Sequence, residues 1–285
     1  MKKRAVVIGA VNMDICGRSA AGLIPRDSNP GAVSFSVGGV GHNIAVDLKR
    51  LGLDVSLIAA IGGDIYGGSL MKSCMDDGLD MSLARLIPEA RSSCYLYIND
   101  EKGDLALAVC DTDISAGIDP AYLSGLLPEI NSADALVVDG NLPPETLLWI
   151  ARSVSVPIYA DPVSVTKSRR LIPILPYLRA IKPNDLEAAE LTGENDPLPA
   201  AKALIAAGVQ RVFVTLGQKG MLAADGNEII TVPSCAKQLR STAGAGDAVT
   251  AAMVCADLTG LDLAGSAGFA SRVASEVIAS ESPFL

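Results

Sequence analysis

The 285-residue sequence has a single histidine, His42, and none of its six cysteines stands in a C-x-x-C pair. That leaves no ligand set for zinc. No apolar run approaches the length of a membrane span, and Met1-Lys2-Lys3-Arg4 leads straight into a short apolar stretch, unlike a signal peptide. A cytoplasmic protein without a membrane partner is expected. An excess of basic residues is also missing. The net charge of −9 argues against nucleic acid as partner. There is no G-x-x-x-x-G-K-[ST], which excludes a P-loop kinase, and no G-x-G-x-x-G followed by an acid, which speaks against a dinucleotide site. Internal repeats and low-complexity linkers are absent too.

What is present is apolar and patterned. Hydrophobic residues make up 49% and charged residues 19%, enough for a sizeable core in one domain over 1–285. The cysteines sit mostly in apolar runs and read as small core residues. Trp149 reads as core as well. Arg4–Ala10 reads as a buried strand, and apolar residues recur at helical spacing from Ile44 to Leu51, closed by Gly52. Val55–Ile61 reads as a strand and Ile65–Met75 as a helix. Ser93–Ile98 and Leu105–Cys110, joined by a polar turn, read as a hairpin. Beyond them strands (Ala135–Asp139, Pro157–Ala160, Leu178–Ile181, Arg211–Leu216) alternate with helices (Pro120–Ile130, Glu145–Arg152, Leu186–Leu191, Ala200–Ala207). Such alternation predicts an α/β fold with a mostly parallel sheet and helices on both faces. Gly220–Val232 reads as a second hairpin, and Ala245–Leu258 and Leu263–Ala279 as two closing helices. The 15–36 stretch is irregular. It and the 93–110 hairpin fall outside the alternation and are candidates for a small lid.

Four segments carry chemistry. In Ser241–Ala248, glycines open a long helix, so inward-facing N–H groups and the helix end make an anion pocket with Asp247 beside it. A carboxylate there suits a proton acceptor for an attacking hydroxyl, although a plain helix start fits equally. The glycine cluster 38–43 is weak evidence alone. Asn184 and Glu187 have capping-box spacing, and Glu187 could also reach a Mg²⁺-bound water. Thr215, Gly217 and Gly220 follow a strand, where ligands of such sheets bind. Asn12, Asp14, Asp139 and Asn141 also follow strands and point to one polar rim. His42, at a helix start, reads as solvated.

Taken together, Gly38-Gly39-Val40-Gly41-His42-Asn43-Ile44-Ala45, N-x-x-E at 184–187, T-L-G-x-x-G at 215–220 and Ser241–Val254 resemble the PfkB family of carbohydrate and nucleoside kinases. The resemblance covers nearly the whole chain. It implies a ribokinase-like three-layer sandwich with a β-sheet lid, substrates ATP with Mg²⁺ and a sugar or nucleoside, and a homodimer through the lid. By match of position, Asp247 would be the catalytic base and Gly244, Ala245 and Gly246 its anion hole. Asp14, Gly38, Gly39 and Asn43 would hold the sugar. Asn184, Thr215, Gly217, Gly220, Gly244 and Gly246 would hold the nucleotide, with Glu187 on Mg²⁺ through water. Ser241 and Ala243 depart from the family pattern, which weakens a monovalent-cation site. Asn12-Met13-Asp14-Ile15, Ser28-Asn29-Pro30-Gly31, Asp139-Gly140-Asn141-Leu142 and Asp161–Lys167 are most similar to the pseudouridine-kinase subgroup. That likeness implies 5′-phosphorylation of a ribonucleoside. Asn12, Ser28, Asn29, Asn141 and Lys167 are polar, fall in suitable segments and are candidates to meet its base. Kinases for other nucleosides or free sugars, and a catalytically silent binding relative, stay open at this point. Asp247, at a helix N-terminus, is expected to be ionised and weakly basic.

Overall fold

The computed structural model describes residues 2–236 and 244–279. The chain begins with β1 (Arg4–Ile8), then leaves the core through β2 (Asn12–Ser19) and β3 (Gly31–Gly38). It returns by α1 (Val40–Arg50), β4 (Asp54–Ile58), the short β5 (Ala60–Gly62) and α2 (Gly67–Asp76). β6 (Arg85–Ile87) pairs with β5, and β7 (Cys94–Asn99) with β8 (Leu105–Asp111). Helix and strand then alternate: α3 (Pro120–Asn131), β9 (Ala135–Asp139), α4 (Pro144–Ser153), β10 (Ile158–Asp161), α5 (Val165–Ser168), β11 (Leu178–Ile181), α6 (Asp185–Thr192), α7 (Pro197–Ala206) and β12 (Arg211–Thr215). β13 (Met221–Asp225) and β14 (Ile229–Val232) turn back antiparallel, before α8 (Ala245–Leu258) and α9 (Leu263–Ala279).

The large sheet has the order β14-β13-β12-β11-β10-β9-β1-β4, parallel from β4 to β12. Side chains alternate across each strand. Ala5, Val7, Leu57 and Val137 pack on α1, α2, α8 and α9, while Val6, Ile8, Leu136 and Val138 pack on α3, α4, α6 and α7. Burial on both faces is why these strands read as unbroken apolar runs. The result is the expected three-layer α/β sandwich.

The second sheet, order β3-β2-β7-β8, is the lid. The 15–36 stretch is therefore not irregular throughout: β2 continues to Ser19, and β3 spans Gly31–Gly38. Their glycines, serines and one arginine hide the two-residue alternation of a sheet that stands off the core. The expected Val55–Ile61 strand divides at Ala59, because β5 leaves the large sheet to pair with β6. Of the cysteines, only Cys74 and Cys255 are buried, and Cys110 and Cys235 are exposed. Cys110 lies on a lid strand, where apolar neighbours do not imply a covering layer. Trp149 is half-buried at the rim of the second core. Among the described residues no helix is long and apolar enough to cross a membrane.

Candidate active site

The parallel strands end on a row of polar residues: Asp139 at the end of β9, Asp161 at the end of β10, Lys182 just after β11 and Thr215 at the end of β12. This is the edge where ligands of open α/β sheets bind. Asp139 is buried and accepts hydrogen bonds from the Ala10 N–H (2.8 Å) and the Asn141 N–H (2.9 Å), which pins the turn after β1. That turn delivers the chain to Asn12 and Asp14.

The tips of α1 and α8 meet above the row. Gly39 caps α1 at φ 100° and Gly244 caps α8 at φ 76°, left-handed conformations that favour glycine. The first-turn N–H groups of α8, from Ala245 to Asp247, have no carbonyl partner within the helix. They are the expected anion hole. Asn43 Nδ2 donates to Asp247 Oδ2 at 2.7 Å, joining the expected sugar site to the expected base. Burial pushes the Asp247 carboxyl up to about 7, and the charge of Asp161 pushes the same way, against Lys182 and the Asn43 amide. This corrects the sequence-based expectation of a weak base: the helix end is outweighed by desolvation and a neighbouring acid.

Beneath the α8 tip lies a buried ion pair. Lys182 Nζ is 3.0 Å from Asp161 Oδ2, which also accepts from Thr250 Oγ1 at 2.7 Å. A Cβ on Gly246 would come within 2.9 Å of Lys182 Nζ, so the cation sits directly behind the first turn of α8. Sequence reading missed Lys182, Asp161 and Thr250. The available signal was charge at the ends of strands buried on both faces.

Asn184, Thr215, Gly217, Gly220 and Gly246 line one cleft of about 400 Å³, together with Ala274 and Ile278 on α9. Gly244, the α8 cap, does not line it but precedes Ala245, which does. The capping box is real: Asn184 Oδ1 accepts from the Glu187 N–H (2.8 Å), and Glu187 Oε2 accepts from the Asn184 N–H (2.9 Å). It holds Glu187 buried, its carboxyl raised by that burial. Asp185 and Glu187 are hard oxygen donors beside this cleft. They fit Mg²⁺, which takes one or two carboxylates and otherwise keeps waters and phosphate oxygens. Ser241 and Ala243, on which a monovalent-cation site turned, lie outside the described residues.

On the lid side Asp14 is mostly buried, and among the described residues its Oδ1 is a buried side-chain oxygen without a hydrogen-bond partner. Burial pushes its carboxyl up to about 7, opposed by the charge of His42. Sheet register places Ser36, Asp14, Tyr95 and Cys110 in one row on one face, followed by Ser34, Cys16, Tyr97 and Ala108. Tyr95 and Tyr97 stack there with ring centroids 5.2 Å apart. At the end of the first row, Lys167 Nζ lies 3.8 Å from Cys110 Sγ and donates to Asn141 Oδ1 at 2.5 Å. Asn12 accepts from Ser93 Oγ (2.7 Å) at the base of the lid. Asn29 is not brought to this cluster. Its amide accepts from the Ile24 N–H (2.8 Å) and donates to the Asp27 carbonyl (3.1 Å), shaping the β2–β3 loop at the far end of the lid. Tyr95 was not among the expected residues, although the alternation in Cys94-Tyr95-Leu96-Tyr97 puts both tyrosines on one face. His42 is not solvated as expected but 2% exposed, because α8 packs on α1 and Asp77, the residue after α2, closes on the ring.

Residues 2–283 match the profile of the pfkB family of carbohydrate kinases. The chain belongs to that family. Like other pfkB kinases it is a phosphotransferase with an alcohol group of a sugar or nucleoside as acceptor. It is 33% identical to a pseudouridine kinase of Escherichia coli (strain K12), over 98% of this chain and 92% of that one. It is 27% identical to a ribokinase of Bacillus subtilis (strain 168), over 94% and 90%. A solved carbohydrate kinase from Agrobacterium tumefaciens superposes with a TM-score of 0.87 at 28% identity, covering 99% of this chain and 93% of that one. The ribokinase-like fold read from the motifs is thereby established for this pfkB kinase.

Proposed function

We propose that this kinase transfers the γ-phosphoryl group of ATP to the 5′-hydroxyl of a ribonucleoside, with pseudouridine as its substrate and the cytoplasm as its place. The observation that carries the reading is the Asn43–Asp247 hydrogen bond at the mouth of the α8 anion hole. It sets a proton acceptor between a sugar-binding amide and a phosphate-binding helix tip.

In this reading ATP lies in the cleft lined by Thr215, Gly217, Gly220 and Gly246, with its terminal phosphate at the α8 N–H groups. Mg²⁺, held through water by Glu187, would neutralise phosphate charge there. Asp14, with its free oxygen, accepts hydrogen bonds from two ribose hydroxyls; Gly38 and Gly39 let the Asp14 carboxylate and the Ala10–Asn12 backbone approach closely, and Asn43 contacts the ring beside them. The 5′-hydroxyl then meets Asp247. Asp247 takes its proton while the oxygen bonds to the γ-phosphorus and the bond to the β-phosphate oxygen breaks. A carboxylate poised near neutrality is better matched to that transfer than an ordinary one. Lys182 and the helix tip stabilise charge on the moving phosphoryl group, and positioning supplies much of the rate.

A nucleoside is favoured over a free sugar by the inner lid face. Next to Asp14 stands Tyr95, an aromatic surface for a base, and then Lys167 and Asn141, which present polar atoms to a base edge. The 33% identity to a pseudouridine kinase supports pseudouridine among the nucleosides. The opposite lid face supports a homodimer. Phe35, Leu96 and Val109 share one cross-strand row and Val33 and Leu107 the next, and all five are exposed. A second copy of the chain would cover so large an apolar surface.

The test is a mixed pool of ribonucleosides and sugars with ATP and Mg²⁺, read by mass spectrometry of the products. Pseudouridine 5′-phosphate as the dominant product is expected. Phosphorylation of free ribose or fructose in preference, or no product at all, overturns the proposal. Asp247→Asn should abolish product while ATP still binds.

A further inference from the structure

His42 is the only histidine of the chain, and it stands behind the catalytic carboxylate rather than in the cleft. Its Nδ1 is 3.2 Å from Asn43 Oδ1, and its Nε2 is 3.2 Å from Oδ2 of Asp77, the residue after α2. Asn43 Nδ2 in turn donates to Asp247 Oδ2 at 2.7 Å. Four side chains thus form one line, from a carboxylate 37% exposed at the surface to a buried one in the active site.

The direction of the bonds ties the protons together, and two arrangements satisfy the whole line. An amide has one accepting and one donating end. With Nδ2 given to Asp247, Asn43 turns its oxygen to His42, so Nδ1 must carry a proton. Asp77 is an acceptor, so Nε2 must carry one too. A ring with both is an imidazolium. The reverse arrangement turns Asn43 over. It needs a proton on Asp247 and leaves the ring neutral, with its hydrogen on Nε2. Both arrangements hold the same number of protons, but only the first leaves Asp247 free to accept one.

The surroundings favour the first. The acids nearest the ring are Asp77, hydrogen-bonded at Nε2, with Asp14 on β2 and Asp47 on α1 close by. Asp77 lies well below the ordinary carboxylate range, chiefly through its hydrogen bond to His42. The cations close by are Arg50, which pairs with Asp47, and Lys49, whose side chain reaches the turn after Asp77; the Cys74 thiol is buried beside Asp77. Asp247 faces the line from α8. Carboxylates therefore outnumber cations around the ring.

We propose that His42, as an imidazolium held by Asp77, is a positioning residue that turns the Asn43 amide N–H toward Asp247 and so keeps the base ionised. The assignment of Asp247 as that base rests on the function proposed above. The idea extends it to a residue outside the cleft.

With one histidine, the two ring nitrogens of ¹⁵N-labelled protein can be read without ambiguity. In ligand-free enzyme at pH 7.5 both should resonate as protonated nitrogens, and Asp77→Asn should move one to the unprotonated range. His42→Phe should lower kcat about 10-fold, the scale of one lost orienting hydrogen bond, with both KM values within about 2-fold. It should also shift the acid limb of kcat to higher pH, since Asp247 loses the amide that favours its ionised form. An unprotonated ring nitrogen in the wild-type protein overturns the proposal, as does a His42→Phe enzyme with unchanged kcat and acid limb. If His42→Phe does not fold, the spectra of wild type and Asp77→Asn decide. The spectra need no turnover, so a wrong substrate and a wrong role for His42 give different results.

Discussion

The carboxylate of Asp14 occupies the space that a side chain at position 38 would need: a Cβ on Gly38 would lie 2.3 Å from Asp14 Oδ2. Glycine in the G-G-V-G-H-N segment is thus a steric provision for the Asp14 carboxylate, not only a flexible link. Gly38→Ala should displace Asp14 and raise KM for the nucleoside by about 10-fold or more, the order expected when a charge-assisted hydrogen bond is misplaced. ATP affinity, measured by calorimetry, should stay unchanged. A parallel loss of ATP binding would contradict the separation of the two subsites.

Tyr95 and Lys167 should matter only for substrates that carry a base. Stacking of one base on an aromatic ring is worth about 1–3 kcal/mol. Tyr95→Ala should therefore raise nucleoside KM by about 5- to 100-fold, while any slow phosphorylation of free ribose is unaffected. Equal losses on both substrates would place Tyr95 outside the base site.

The ligand-free protein should be less stable at pH 8 than at pH 5. Burial raises Asp14 and Asp247 to about 7 and Asp47 to about 6, each above the ordinary value of 3.8. Between those limits the folded chain binds more protons than the unfolded one, so stability falls as pH rises through the window. Asp77 and Asp257 are shifted downward, so their contribution is lost only on the acid side. Thermal melts at the two pH values measure the difference, and Asp14→Asn should reduce it. A higher melting temperature at pH 8 would refute the assignment of these burdened carboxylates.

Lys182→Met should destabilise the fold by about 3–5 kcal/mol, because Asp161 would be left charged and buried without its partner. The double variant Lys182→Met, Asp161→Asn should recover most of that loss in chemical denaturation but not the rate of phosphoryl transfer. Full recovery of rate would assign Lys182 to structure alone.

If the exposed outer lid face forms the proposed homodimer, the parent chain should sediment as a dimer and Leu107→Asp as a monomer in sedimentation velocity. A parent chain that already sediments as a monomer at micromolar concentration would remove the lid interface.

Much of this protein follows from local pattern. Alternating apolar strands and helices determine a parallel sheet buried on both faces, because no other packing covers such runs. Glycines at 39, 217, 220 and 244 announce left-handed turns at strand and helix ends, and those turns carry Thr215, Asp247 and their neighbours to the ligand edge. Local pattern does not carry long-range pairing. β2 and β3 escaped notice because lid strands lack the apolar density of a buried sheet. No local pattern pairs Lys182 with Asp161; the fold does so by bringing two strand ends together beneath α8. The same holds for charge: the helix start at Asp247 argues for an acidic carboxyl, yet its burial beside Asp161 decides otherwise. Sequence determined which residues can bind, bend or accept a proton, since those are properties of side chain and backbone alone. Only the tertiary structure decided which of them meet, how dry their surroundings are, and hence which proton each one holds, because desolvation and hydrogen-bond direction depend on neighbours up to two hundred residues away in the chain.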